Sequence, residues 1–181
     1  VIDSSLVQGQ LQSALDLTEK ASRTLYGNYS GALNIYNLPT SLMAAITASV
    51  IPAVSAALLK AETTGGPAGA MVLPDGRVVT GKTSDTLGAA SALLLNALKA
   101  VGGIGDQFEL ISAQVLEPVC RLKTQYLGHK NPRLHTDEVL IALTISALTN
   151  PAAQKAKEQL SGLQGCEAHF SVVLSQEDES L

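Results

Sequence analysis

The polar segment 128–138 carries side chains that could bind an anion and move a proton. It mixes cationic types with acids in the order Gly-His-Lys-Asn-Pro-Arg-Leu-His-Thr-Asp-Glu. Imidazoles and carboxylates serve as general acids and bases, and Lys and Arg bind anions. We therefore assign anion binding to His129, Lys130, Asn131 and Arg133, and general acid–base roles to His135, Asp137 and Glu138. Polar loop residues and helix caps are the alternative interpretation.

A second candidate segment, Gly81-Lys82-Thr83-Ser84, comes just before a predicted helix. Backbone N–H groups at a helix start favour anions. Lys82, Thr83 and Ser84 are therefore the remaining predicted ligand-binding residues. We expect the segment 128–135 to face them, so that an anionic small molecule could bind between the two.

The residues from Gly76 to Thr83 also match the phosphate-binding P-loop pattern. A P-loop needs a flexible loop between its glycines, after a strand and before a helix. Here the intervening residues, Arg-Val-Val-Thr, favour a strand, and Asp75-Gly76 favours a tight turn. The sequence therefore predicts a β-hairpin over 70–73 and 77–80.

Cysteine and histidine do not converge into a metal site in this sequence. Cys166 and His169 have usable ligand spacing, but a zinc site needs a converging set of about four ligands. His129 and His135 lie on a loop that fixes no geometry. The sequence therefore assigns no metal ligands, and it leaves any cofactor unknown.

Composition limits the classes of function. The chain has 181 residues, is 46% hydrophobic and only 3% aromatic, and carries a net charge of -4. We do not expect nucleic-acid binding, because it needs a basic face and the net charge is negative. Cys120 and Cys166 make no disulfide framework, which favours a reducing, cytoplasmic setting for residues 70–181.

The N-terminal third differs from the rest. No charged residue occurs from Thr24 to Leu59, and 41–59 has a helical apolar pattern with Pro52 expected to kink it. Such a stretch could contact a membrane or be a buried helix of a soluble domain. Either way its apolar surface needs a cover, and we expect a homo-oligomer.

The remaining pattern predicts an α+β (mixed α/β) domain. A small sheet of the hairpin plus a late strand at 168–175 packs with about four helices, at 85–100, 113–127, 136–149 and 151–163. The helix at 136–149 is apolar nearly all round, so we expect it to be central. The predicted organisation is an apolar helical segment at 1–60, a Gly/Pro/Thr linker at 61–69 and a domain at 70–181.

Two resemblances accompany these patterns. The runs Leu73-Pro-Asp-Gly-Arg-Val-Val-Thr-Gly-Lys-Thr-Ser84 and Tyr126-Leu-Gly-His-Lys-Asn-Pro-Arg-Leu-His-Thr-Asp-Glu-Val-Leu140 resemble the C-terminal part of the bacterial family called domain of unknown function 1846. Gly31-Ala-Leu-Asn-Ile-Tyr-Asn-Leu-Pro39 resembles a membrane segment of bacterial polysaccharide flippases of the stage five sporulation type. The resemblances imply a fused fragment, because the domain's family members are larger and soluble.

Three functions remain open from the sequence. The domain could be a structural or assembly unit without activity alone. It could be part of an enzyme or binding site for a phosphate-like or nucleotide-like anion. It could also be a membrane-anchored fragment of a fused reading frame.

Overall fold

The computed structural model describes residues 51–179 of the chain. The flippase-like segment and most of the predicted apolar helix 41–59 lie outside these residues. No helix within 51–179 is long and apolar enough to cross a membrane.

Helix α1, Ile51–Thr64, covers one face of the sheet. Its Ala53 and Ala57 are fully or almost fully buried and pack against Ala70 of the first strand. Small side chains allow this close approach of helix and sheet, as the low aromatic content suggests. The predicted linker 61–69 contributes its first four residues to α1 and its last two to the first strand.

The β-hairpin interpretation is confirmed. Strands β1, Ala68–Val72, and β2, Val78–Lys82, pair antiparallel from Ala68 opposite Lys82 to Val72 opposite Val78. Gly76 in the connecting turn has φ 83°, which favours glycine. The second glycine of the P-loop pattern, Gly81, lies inside β2, where a Cβ atom would collide with the backbone of Leu93.

The late strand pairs with the hairpin as predicted, but it is shorter. Strand β3, Ala168–Phe170, runs antiparallel to β1 and gives the sheet order β2-β1-β3. Pairing continues through Ser171, whose N–H donates to the Ala68 carbonyl (2.9 Å) and whose hydroxyl accepts from the Ala68 N–H (3.0 Å).

The rest of the described chain is helical. Helix α2, Ala89–Gly102, lies on the sheet face opposite α1, since Gly69 and Gly81 both approach its Leu93. It is followed by α3, Ala113–Arg121, and a π-helical turn, Leu122–Tyr126. Helices α4, Thr136–Ser146, and α5, Pro151–Lys157, come next, and the short α6, Gln176–Glu179, comes last. Residues 51–179 thus form a mixed α/β unit with a three-stranded antiparallel sheet and six α-helices.

The largest core cluster joins α2 to the later helices. Its fully buried members include Leu98, Leu134, Val139 and Leu143. We expected the helix at 136–149 to be central, and this holds for one of its sides only. One side of α4 is in the core, whereas Ile141 and Ile145 are more than half exposed, as is Leu148 just beyond the helix.

Candidate functional site

The two predicted site segments meet through backbone contacts. The Arg133 side chain donates from Nε to the Ser84 carbonyl (2.7 Å). The Leu134 N–H donates to the Thr86 carbonyl (2.8 Å), and Leu87 and Leu134 form a parallel β-bridge. The Leu134 carbonyl also accepts from the buried Ser91 hydroxyl (2.8 Å). Segment 128–135 is therefore fixed beside the chain that follows β2, as expected.

The predicted ligand-binding residues differ in whether their side chains are exposed or form hydrogen bonds within the domain. Lys82, His129 and Lys130 have exposed side chains. Asn131 instead supports its own loop, because its Oδ1 accepts from the Arg133 N–H (3.1 Å). Ser84 supports the turn after β2, where its hydroxyl accepts from the Leu87 N–H (3.0 Å).

Thr83 continues the hairpin ladder rather than opening a helix. Its N–H donates to the Pro67 carbonyl (2.9 Å). Helix α2 begins only at Ala89, so Lys82, Thr83 and Ser84 do not lie at a helix N-terminus. The helix start that was expected to favour an anion therefore does not lie at these residues. Lys82 nevertheless remains two positions from Ser84, whose carbonyl contacts Arg133.

Glu138, a predicted acid–base residue, is tied into a buried ion pair. Its Oε2 accepts from the Lys123 ammonium (2.7 Å) and from the His135 N–H (2.8 Å). Lys123 is 4% exposed and donates a second bond to the Arg133 carbonyl (2.7 Å). The carboxylate thus completes a capping box at the start of α4 and neutralises a buried cation.

Lys123 is a residue that sequence reasoning missed. Leu122 and Tyr126, two apolar residues four positions apart in the predicted helix 113–127, are both at least half exposed. The buried series is instead Leu116, Cys120 and Lys123, at spacings of four and three. A hydrophobic pattern passes over this series because it contains a lysine, and the π-helical turn shifts the register after Arg121.

His135 lies beside a serine and an aspartate from the end of the described chain. The Ser175 hydroxyl and the Asp178 Oδ2 lie 3.1 and 3.2 Å from the same ring nitrogen, Nδ1. A nucleophilic triad needs the serine and the acid on different ring nitrogens. The three residues therefore do not have the arrangement of such a triad.

Asp178 holds the first turn of α4. Its Oδ1 accepts from the Thr136 N–H (2.9 Å) and the Thr136 hydroxyl (3.1 Å). Sequence reasoning missed this residue too, because its last predicted element ends at residue 175. The Ser175-x-x-Asp178 spacing, which is typical of helix starts, was the available signal.

Asp137, the third predicted acid–base residue, faces another direction. It is exposed, and its Oδ1 accepts from the Glu138 N–H (2.8 Å). The three residues therefore have separate neighbours: Lys123 for Glu138, Ser175 and Asp178 for His135, and local backbone for Asp137. The acid–base assignment of these three residues stays a prediction. The contacts that the structure gives them are those of side chains at the start of a helix.

Burial governs the other titratable groups. It raises the pKa of the Cys120 thiol, with the nearby Glu138 carboxylate adding to the shift, and it raises the pKa of Cys166. Both thiols are therefore kept protonated and are poor nucleophiles. Burial lowers the pKa of His169, against the opposing charge of Glu167. Its Nε2 is buried without a hydrogen-bond partner.

Metal-ligand types do not converge in the part of the chain that the structure describes. No group of three or more His, Cys, Asp or Glu side chains could hold an ion within 51–179. Cys166 and His169, which have usable spacing in sequence, thus remain without a third ligand there.

The arrangement defines a small α+β domain whose polar contacts join its last helix, its loop 128–135 and the turn after β2. Comparison with known proteins assigns its family. The family described as "Domain of unknown function DUF1846, C-terminal" matches residues 49–181, and the chain belongs to it.

Its relatives are bacterial and longer. A UPF0371 protein of Corynebacterium efficiens is 50% identical over 128 residues, which are 71% of this chain and 26% of that protein. One of Streptococcus pneumoniae is 48% identical over 122 residues, 67% of this chain and 25% of that protein. The chain therefore matches about a quarter of the length of these relatives.

Proposed function

We propose that residues 51–179 act as a structural or assembly domain, without catalytic activity of their own, within a longer family protein. The observation that carries this proposal is the apolar face of α4. Ile141, Ile145 and Leu148 follow each other at spacings of four and three, so they lie on one side of the helix and the turn after it. We call these three residues the α4 face.

The α4 face has the character of a surface that packs against protein. Its side chains are 63%, 54% and 82% exposed. No charged residue occurs between Glu138 and Lys155, so beyond its first turn the exposed side of this helix carries no charge. Helices at a protein surface normally carry polar residues opposite their core-facing side, and contiguous exposed apolar patches mark interaction sites.

The occupant proposed for the α4 face is the remaining part of the family protein. About three quarters of the length of the C. efficiens relative lies outside the matched region. Inter-domain interfaces within one polypeptide resemble transient protein–protein interfaces, and the α4 face matches the apolar, fully buried centre of such an interface.

The test pairs two substitutions of equal exposure. Ile141→Asp charges the α4 face, and Leu59→Asp charges α1, where the side chain is 62% exposed. The chain is co-expressed with the unmatched part of the C. efficiens relative, and co-purification is measured. We expect Ile141→Asp to weaken association by roughly thirtyfold, the effect of a residue at the centre of an interface, and Leu59→Asp to leave it unchanged.

Two results would contradict the proposal. One is equal association of both variants with the relative's remaining part. The other is a dimer of the chain alone that Ile141→Asp dissociates, since the occupant would then be a second copy. Circular dichroism of both variants checks that each is folded.

A second candidate function is supported by the contact between Arg133 and Ser84. This bond joins the segment that contains Lys82 to the segment that contains His129 and Lys130, and all three exposed side chains can donate hydrogen bonds to a small anion. A titration with inorganic phosphate, followed by amide chemical shifts, tests it. Shifts confined to 82–84 and 128–133 and lost in Lys82→Ala/Lys130→Ala, but kept in Lys155→Ala, would support this function; their absence would reject it.

We also propose a cytoplasmic location for this domain. Cys120 and Cys166 are both free thiols, as expected of a protein from a reducing compartment. Fractionation of cells that express the chain tests this location.

A further inference from the structure

A cleft lies between α2 and the start of α3, away from the residues assigned above. Its volume is about 290 Å³, close to the lower end of the range for small-molecule sites, about 300–1,000 Å³. It lies between the chain from Thr86 to Lys99 and the chain from Glu109 to Glu117. A space of this size can hold a small organic molecule rather than a single water.

The walls of the cleft are apolar and fixed. Leu95, Leu110, Ile111 and Leu116 line it, and each is at least nine-tenths buried. Segment 109–111 is irregular backbone, but the Asn150 side chain holds it by donating to the carbonyls of Glu109 (2.8 Å) and Leu110 (3.2 Å). The cavity is therefore bordered by the core itself and does not depend on flexible surface side chains.

Its polar groups leave an excess of negative charge. Two carboxylates, Glu109 and Glu117, line the cleft, together with one cation, Lys99. Glu117 also pairs with Arg121 one turn later (3.5 Å), but both side chains of that pair are more than half exposed, so the pair contributes little, and Arg121 does not line the cleft. The Lys99 ammonium donates to the Asp106 carbonyl (3.3 Å), and the lining amide of Asn96 donates to the Thr80 carbonyl (2.9 Å). The lining groups that remain to meet a ligand are thus mainly acceptors, which suits a molecule that carries donors and positive charge.

We propose that this cleft is a binding site for a small amphipathic cation, with an aliphatic or aromatic body and an ammonium-type head. The body occupies the space among the buried leucines, and the head lies near Glu109 and Glu117. This site is independent of the α4 face, so either proposal can fail without the other.

The test uses the full chain and three probes of equal chain length: hexylammonium, hexan-1-ol and hexanoate. Binding is followed by amide chemical shifts and by thermal shift. We expect hexylammonium to bind about fivefold more tightly than the alcohol, the effect of a partly exposed charge pair, and hexanoate to bind most weakly. Glu117→Gln should remove the preference for the amine and leave alcohol binding unchanged, whereas Glu62→Gln, on α1, should change neither.

A variant that fills the cleft tests the location. Ala113 lines the cleft at the exposed first position of α3, so Ala113→Leu should fold and should block all three probes. Ala92→Leu fills the cleft from α2 and should act in the same way. Shifts by none of the probes, equal binding of hexanoate and hexylammonium, or unchanged binding in a folded Ala113→Leu variant would each overturn the proposal.

Discussion

Two ion pairs of the domain have the same separation and different surroundings. Lys123 and Glu138 are joined at 2.7 Å at the start of α4, where the Glu138 side chain is 28% exposed, and Arg77 and Asp75 are joined at 2.7 Å in the hairpin turn. The Lys123 side chain is 4% exposed, whereas Asp75 and Arg77 are both more than half exposed. Separation alone therefore does not predict what an ion pair contributes, because water competes for the exposed charges.

The two pairs also differ in what they connect. Asp75 and Arg77 are two positions apart in one turn, and Arg77 also donates to the Ala100 carbonyl of α2 (3.0 Å) from an exposed position. Lys123 connects the π-helical turn, the Arg133 carbonyl and the start of α4 from a buried position. Its loss would leave a carbonyl and a carboxylate without their cation in two segments at once, so its removal should affect the whole domain.

The largest expected effect follows from Lys123→Met. Methionine fills a similar volume but leaves the Glu138 carboxylate without its cation and the Arg133 carbonyl without its donor. Breaking a buried pair from one side destabilises by roughly 3 kcal/mol. The free energy of unfolding from urea denaturation measures this effect. Lys82→Met, which removes an exposed lysine at the end of β2, is the matched control and should change stability little.

A double substitution separates the contribution of the ion pair from the contribution of burial. In Lys123→Met/Glu138→Gln the charge is gone from both positions, while the Gln oxygen can still accept from the His135 N–H. We expect the double variant to recover part of the loss. A Lys123→Met variant as stable as Lys82→Met would show that the buried pair contributes no more than an exposed one.

The same comparison explains which parts of the molecule could be predicted from sequence. The hairpin is encoded within about fifteen residues, where Asp75-Gly76 specifies the turn and the flanking β-branched runs specify the strands. The partners of Glu138 and His135 are 15 and 43 positions away. No local pattern specifies such pairs, because they depend on how loop 128–135 packs against α3 and α6.

The predicted site illustrates the limit. Its residues were chosen because they are polar and locally dense, but the directions of their side chains depend on where the helices start. Helix α2 begins five residues after Ser84, at Ala89, because the turn of Ser84 and Leu87 intervenes. The apolar pattern likewise identified α4 but could not tell that one side remains uncovered within 51–179.

An intermediate effect on stability is expected from Asp178→Ala, because Asp178 is more exposed than Lys123 and less exposed than Asp75 and Arg77. The Asp178 side chain is 10% exposed and caps α4 from a distant part of the chain. Loss of a capping acceptor costs about 1–2 kcal/mol. Amide hydrogen exchange should rise at the start of α4 and in 175–179, and urea denaturation gives the total change.

Asp178→Asn is the graded control for this position. It keeps an oxygen that can accept from the Thr136 N–H and loses only the charge beside His135. We expect it to lose less stability than Asp178→Ala. Equal losses in both variants would mean that the charge, and not the cap to Thr136, is what holds the end of the chain on α4.

The smallest effect is expected from Asp75→Asn. The hydrogen bond from the Arg77 side chain, with a second from the Arg77 N–H, lowers the pKa of the Asp75 carboxyl below its ordinary value of 3.8. A depressed acid pKa stabilises the fold fully above pH 3.8 and loses that contribution as the pH falls through the folded pKa. Asparagine keeps the bond to the Arg77 N–H and removes the titration.

The two proteins should therefore differ in stability at neutral pH by less than the Lys123→Met change, and they should converge in strong acid. Carboxyl NMR titration of Asp75 gives its pKa, and urea denaturation at neutral and strongly acidic pH gives the stability difference. A folded-state pKa at or above 3.8 would contradict the assignment. A loss as large as that of Lys123→Met would contradict the comparison itself, because exposure would then not separate the two ion pairs.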